Sequence, residues 1–178
     1  MWLYLPRGHA KQGEAGELRT AQQWFDAYGV SHQNPVNKAI HWICVPVIVF
    51  STIGLFWSIP HDYLPSAQSG SVIGPYVNFG TLLVVGSLVF YFRLGITIGI
   101  GMFVWSAFAL WGNAVIEASV SYPLWQISTL VFIIAWIGQF IGHKIEGVKP
   151  SFFEDIQFLL VGPAWLLHFI YRRCGVPI

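Results

Sequence analysis

Residues 136–150 read WIGQFIGHKIEGVKP. The stretch opens as the end of an apolar helix and closes on Glu146, Gly147, Lys149 and Pro150, where charged and turn residues take over. Trp136, Gln139 and His143 fall at i, i+3 and i+7, near one helix face. Because Gln139 and His143 are one turn apart, both side chains can reach the same spot. A histidine at the mouth of an apolar helix, with a glutamine one turn below it, carries polar atoms that need partners, and a metal ion is one such partner. Residues 31–46, SHQNPVNKAIHWICVP, carry two more histidines, His32 and His41. The sequence predicts that these two stretches meet in space, and the reason is the way the rest of the chain crosses a membrane.

Of the 178 residues, 55% are apolar and 10% charged, where ordinary soluble proteins carry about 25% charged residues. Aromatic residues make up 17%, with nine Trp among them. A water-soluble domain of this size cannot hide that much apolar surface, so the class is integral membrane protein. The net charge is +1 with no basic block, which argues against a nucleic-acid partner. Cys44 and Cys174 form no metal or redox spacing and read as free thiols. Residues 1–30 carry charges throughout and no continuous apolar core, so no secretory signal is read there.

Along the chain the reading is all-α: a polytopic membrane helical bundle forming a single membrane domain over 1–178. Residues 1–16 are polar and Gly-rich and are expected to be poorly ordered. Leu18, Ala21, Trp24, Phe25 and Tyr28 then recur at threes and fours, which predicts an amphipathic interfacial helix over 17–29. The helical bundle occupies 37–171. Four spanning helices are predicted at 37–59, 76–92, 94–113 and 124–142, each near the ~20 residues a span needs. Pro46 predicts a kink in the first. The second and third join at Arg93 with almost no linker, which forces an antiparallel hairpin, and Gly95, Gly99 and Gly101 suit close approach by the third. The last apolar segment, 156–171, is only about 24 Å long, and Gly162-Pro163 interrupts it. It reads as a broken re-entrant or interfacial C-terminal helical segment.

With four spans, His143 returns to the face where the chain enters the first helix, the face of His32 and His41. Arg7, Lys11, Arg19, Lys38, Arg93, Lys144 and Lys149 fall on that face too, and Arg172 and Arg173 join them if the last segment turns back. The opposite face carries Asp62 and Glu117 and no basic residue. The positive-inside rule makes the basic face cytosolic, with both termini there.

His9 and His61 read as solvated surface. His32, His41 and His143 remain, gathered at one membrane face, and three imidazoles suffice to hold Fe(II) or Zn(II) with coordination positions left open. Each of the three taken alone reads as an interfacial ring. Together, with Asn37 one turn from His41 and Gln139 one turn from His143, they read as metal ligands with polar support. Asn37, Gln139 and Glu146 are the candidates to orient the imidazoles or to act as acid or base. Glu146 reads equally as a surface charge paired with Lys144 or Lys149. A hairpin broken at Gly162-Pro163 would bring His168 to the same face as a fourth ligand.

SHQNPVNKAIH followed by VP, and WIGQFIGHKIEGVKP followed by a helix interrupted at Gly-Pro, resemble the 2-hydroxy fatty acid dioxygenase family, membrane enzymes that take phytosphingosine toward odd-numbered fatty acids. The resemblance runs over roughly residues 22–175. It implies an Fe(II)-dependent enzyme of the bacterial inner membrane or endoplasmic reticulum, with His32, His41 and His143 as the iron-associated residues. The implied partners are a 2-hydroxy fatty acid, O2 and the lipid bilayer, and the implied reaction is α-oxidation, which shortens the acid by one carbon with loss of carbon dioxide. Two other readings stay open on the residues: a zinc-dependent membrane lipid hydrolase, and a non-enzymatic lipid-binding scaffold.

Overall fold

The computed structural model describes residues 19–61, 73–147 and 152–177, with the side chains of 152–158 excepted. Among the described residues the chain is all-helical: α1 (Ala21–Gly29), α2 (Pro35–Trp57), α3 (Phe79–Leu94), α4 (Ile96–Ser119), α5 (Leu124–Glu146) and α6 (Phe152–Cys174), with a single 3-10 turn at Gly74–Tyr76 before α3. Residues 1–16, and most of the loop between α2 and α3, lie outside the described residues.

Local chemistry sets the helix starts. Thr20 caps α1 in a reciprocal box: its hydroxyl accepts from the Gln23 amide, and its own amide donates to Gln23 Oε1 at 2.8 Å. The start predicted at residue 17 therefore gives way to one at Ala21. Asn34 caps α2, its Oδ1 accepting from the Val36 amide at 2.8 Å, with Pro35 in the first turn where a missing N–H costs nothing. Asn78 caps α3 by accepting from the Thr81 amide at 3.0 Å. The α3–α4 reversal turns on Gly95 alone, at φ 156°, a backbone geometry that favours glycine.

Among the described residues three helices, α2, α4 and α5, are long and apolar enough to cross a membrane, and α3 is apolar but shorter. Their outward faces expose large apolar side chains, among them Ile43, Leu82, Val104, Phe108, Leu130 and Ile134. A surface of that kind is stable against lipid and unstable against water. α4 runs past the predicted end at 113 because its polar residues find partners within the bundle. Asn113 is wholly buried and donates to the carbonyls of Phe50 and Ala109, and Glu117 accepts from the Trp57 indole at 2.7 Å.

The closest pairing joins α2 to α5, antiparallel, so that the first turns of α2 meet the last turns of α5. Gly138 and Gly142, four residues apart on α5, make this possible. A methyl group at Gly138 would strike Cys44 Sγ, and one at Gly142 would strike the Asn37 side chain. This small-xxx-small stripe lies on α5, where the sequence reading had no close approach. On α4, Gly99 receives Phe92 of α3, Gly101 receives Tyr171 and Leu167 of α6, and Gly112 receives Phe50 of α2, whereas Gly95 has open space.

α6 corrects the sequence reading. It is one continuous helix through Gly162-Pro163, with no break at that dipeptide. Proline in a helix interior costs about 3 kcal/mol. Val161, Ala164, Trp165 and Leu166 are nevertheless all buried in a core shared with Phe25, Tyr28, Val45, Tyr91, Ile98 and Met102. Each fully buried large apolar side chain returns about 1.5–3 kcal/mol, so tertiary packing outweighs the local preference. The C-terminal end of α6 reaches the α3–α4 reversal, where the Tyr171 hydroxyl donates to the Thr97 carbonyl at 3.1 Å.

Candidate metal centre

His32 sits in the link between α1 and α2, His41 in the second turn of α2 and His143 in the last turn of α5. All three are buried, and one nitrogen of each lies within 4.8 Å of those of the other two. Ring centroids stand 4.3 Å apart for His32 and His41, 5.1 Å for His41 and His143, and 5.4 Å for His32 and His143. The gathering expected from the two stretches is observed.

Hydrogen bonds fix which nitrogen faces inward. His32 Nδ1 lies 2.7 Å from the Tyr28 carbonyl, and His41 Nδ1 lies 2.9 Å from the Asn37 carbonyl. A carbonyl only accepts, so both Nδ1 atoms carry the proton and both Nε2 atoms present a lone pair. His32 Nε2 and His143 Nδ1 are buried with no hydrogen-bond partner. Buried nitrogens without protein partners, ligand atoms within 4.8 Å of one another, and backbone carbonyls behind the His32 and His41 rings suit a metal-binding set of imidazoles. The Tyr28 ring stacks on His32 at 4.1 Å and 7° between planes, so α1 holds the imidazole by both ring and carbonyl. Burial pushes the His32 pKa down to about 4, so the ring is neutral and ligand-competent at ordinary pH.

The supporting residues act differently from their sequence reading. Asn37 supports His41 through its backbone carbonyl, while its side chain donates to Glu146 Oε2 at 2.9 Å. Glu146 Oε1 accepts from the Gln33 amide at 2.8 Å, and Oε2 accepts from the Asn34 amide at 2.9 Å. Its carboxylate thus ties the end of α5 to the loop that carries His32 and to the first turn of α2. Gln139 lines the same cavity as the three histidines but bonds none of them, and its Oε1 has no partner. His168 is not part of the cluster, which corrects the expectation of a fourth ligand. The unbroken α6 sets Trp165 beside His32 at 5.6 Å and carries His168 one turn further on, against Phe25 at 4.9 Å. His61 Nδ1 bonds the Ile59 carbonyl at the far end of α2. His9 lies outside the described residues.

The three rings open into a cavity of ≈ 40 Å³ whose other walls include Val45, Ile48, Trp136, Gln139 and Leu159. Sequence reasoning missed the role of Tyr28, which read only as an apolar-face residue, and did not single out Trp165. The Tyr-x-x-x-His spacing of Tyr28 and His32 is the one local trace of the former.

The fold and this site define a class: a helical membrane-type protein with a buried three-histidine centre at one end of its bundle. Residues 18–174 match the family model described as 2-hydroxy-palmitic acid dioxygenase Mpo1-like, and the chain belongs to that family. No curated protein and no solved structure matches it.

Proposed function

We propose that this chain is an Fe(II)-dependent dioxygenase that converts a long-chain 2-hydroxy fatty acid and O2 into the acid one carbon shorter, carbon dioxide and water. The observation that carries the reading is the gathering of three buried imidazoles in a chain of this family. The reaction balances without a further reductant, because oxidation of C1 and C2 yields the four electrons that O2 takes up. Iron held by His32, His41 and His143 supplies the one-electron chemistry that ordinary O2 needs. The chain's own contribution is to aim the imidazoles, to exclude bulk water by burying them, and to brace the site through Glu146 and Asn37. The acyl tail lies in the membrane beside the apolar wall of Val45, Ile48 and Leu159.

In the same reading α2 to α5 are four spans, and α6 returns the chain to the face where α5 ends. The basic residues put that face in the cytosol. A zinc-dependent hydrolase would need a general base at the metal, and among the described residues no carboxylate lines the cavity.

Metal analysis of the purified protein, with oxygen uptake on adding 2-hydroxypalmitate, tests the proposal. Iron at one per chain with stoichiometric oxygen uptake supports it. Zinc without uptake turns the reading to the hydrolase, and no metal leaves a scaffold.

A further inference from the structure

Two polar atoms in the wall of the metal cavity have no role in holding the fold. Gln139 is 5% exposed and its Oε1 finds no partner, and the buried Trp136 Nε1 finds none either. Both side chains line the cavity of the three histidines, on the face of α5 that also carries His143. A buried amide left unbonded destabilises a protein. Removing it would be easy, since methionine has nearly the same length and volume and asks for no partner. The neighbouring wall residues Val45, Ile48 and Leu159 are apolar, and the other polar side chains of the wall are Tyr28 and the three histidines, so the amide and the indole are the wall's unpaired polar groups outside the histidine cluster. An acceptor and a donor kept unpaired in one small cavity match a ligand group that both donates and accepts, and a hydroxyl is such a group.

We propose that Gln139 selects the substrate by its 2-hydroxyl: the amide oxygen accepts the hydroxyl proton, and the Trp136 indole N–H is available to the hydroxyl oxygen. An unsubstituted fatty acid leaves both wall atoms unpaired and buried, and a site built to hydrogen-bond a hydroxyl rejects the analogue that lacks it. Gln139 is then a specificity residue and not a metal ligand. The inference rests on the dioxygenase reading for the identity of the ligand.

The test compares affinities without turnover. Full-length protein in lipid nanodiscs, loaded with Fe(II) and kept anaerobic, is titrated with 2-hydroxypalmitate and with palmitate. Partition of each acid into protein-free nanodiscs is measured and divided out, and comparing the Kd ratio of variant with that of native protein cancels what remains. The native ratio favours the hydroxy acid, and in Gln139→Met it falls at least about tenfold, the size expected for one buried hydrogen bond. Iron content in the variant stays at the native level. The melting temperature of ligand-free Gln139→Met rises or holds, because an unpaired buried amide has gone. Gln139→Glu, which keeps an acceptor at the same reach, retains more of the preference than Gln139→Met. A native preference that survives in Gln139→Met with iron retained overturns the inference alone. A clear fall in melting temperature also overturns it, by revealing a structural partner for the amide. Native protein with no preference for the hydroxy acid overturns the dioxygenase reading and this inference with it.

Discussion

Glu146→Ala separates a clamp from a general base. In the structure the carboxylate takes hydrogen bonds from the Gln33 amide, the Asn34 amide and the Asn37 side chain. Gln33 is exposed and its amide rehydrates when the carboxylate goes. Asn37 is wholly buried, so its side-chain amide loses a partner that water cannot easily replace. Its Nδ2 keeps only a long bond to the Ser31 carbonyl at 3.4 Å, so the loss falls in the lower part of the about 1–3 kcal/mol for an unsatisfied buried group, and with the loss at the half-buried Asn34 the sum is about 2 kcal/mol. For a chain of this size that lowers the melting temperature by about 4–8 °C. The loop carrying His32 and the first turn of α2, which leads to His41, both loosen. Supporting contacts of this kind change metal affinity by about 10–100-fold. Dialysis against a graded series of chelator concentrations measures that shift, and thermal unfolding in detergent measures the other. A clamp predicts that turnover falls with metal occupancy and recovers at saturating iron. Unchanged metal affinity and melting temperature would refute the clamp. So would a Glu146→Gln variant that keeps its iron and loses all turnover, which would identify a base.

Three further outcomes follow from the same geometry. His32→Ala, His41→Ala and His143→Ala each abolish stoichiometric metal binding, whereas His168→Ala keeps it and loses about 1 kcal/mol of stability through its contact with Phe25; equal metal loss in His168→Ala would return it to the site. Gly142→Leu forces α5 away from Asn37 and destabilises the protein by about 1–3 kcal/mol with loss of metal, read by melting and iron content, while the open position Gly86 tolerates alanine. In metal-free protein His32 is neutral when folded, with its pKa lowered from 6.5 to about 4. The unfolded chain binds the extra proton first, so this contribution is complete above pH 6.5 and is lost as pH falls toward 4. Denaturant unfolding across that range should show a decline that His32→Gln makes shallower by up to about 3 kcal/mol, the share of His32.

Much of this protein is written in local patterns. The apolar runs mark the helices, since each residue's preference for lipid or water is its own property and sums along a segment. Caps such as Asn34 followed by Pro35 set boundaries through bonds three or four residues long. The grouping of His32, His41 and His143 follows from counting helices, because antiparallel connection returns alternate helix ends to one face. The family resemblance follows from the same two histidine stretches. What tertiary structure alone decided involves partners distant in the chain. Glu146 reaches Gln33, Asn34 and Asn37 across more than a hundred residues, and no spacing rule joins them. Gly138 and Gly142 matter only because Cys44 and Asn37 stand opposite. Pro163 carries a local instruction to break the helix, and the burial of Val161, Ala164, Trp165 and Leu166 overrides it. That decision also places His168 against Phe25 instead of at the metal centre. A dihedral preference is worth a few kcal/mol at one position, whereas a packed face sums over several side chains, so the larger total sets the course of α6.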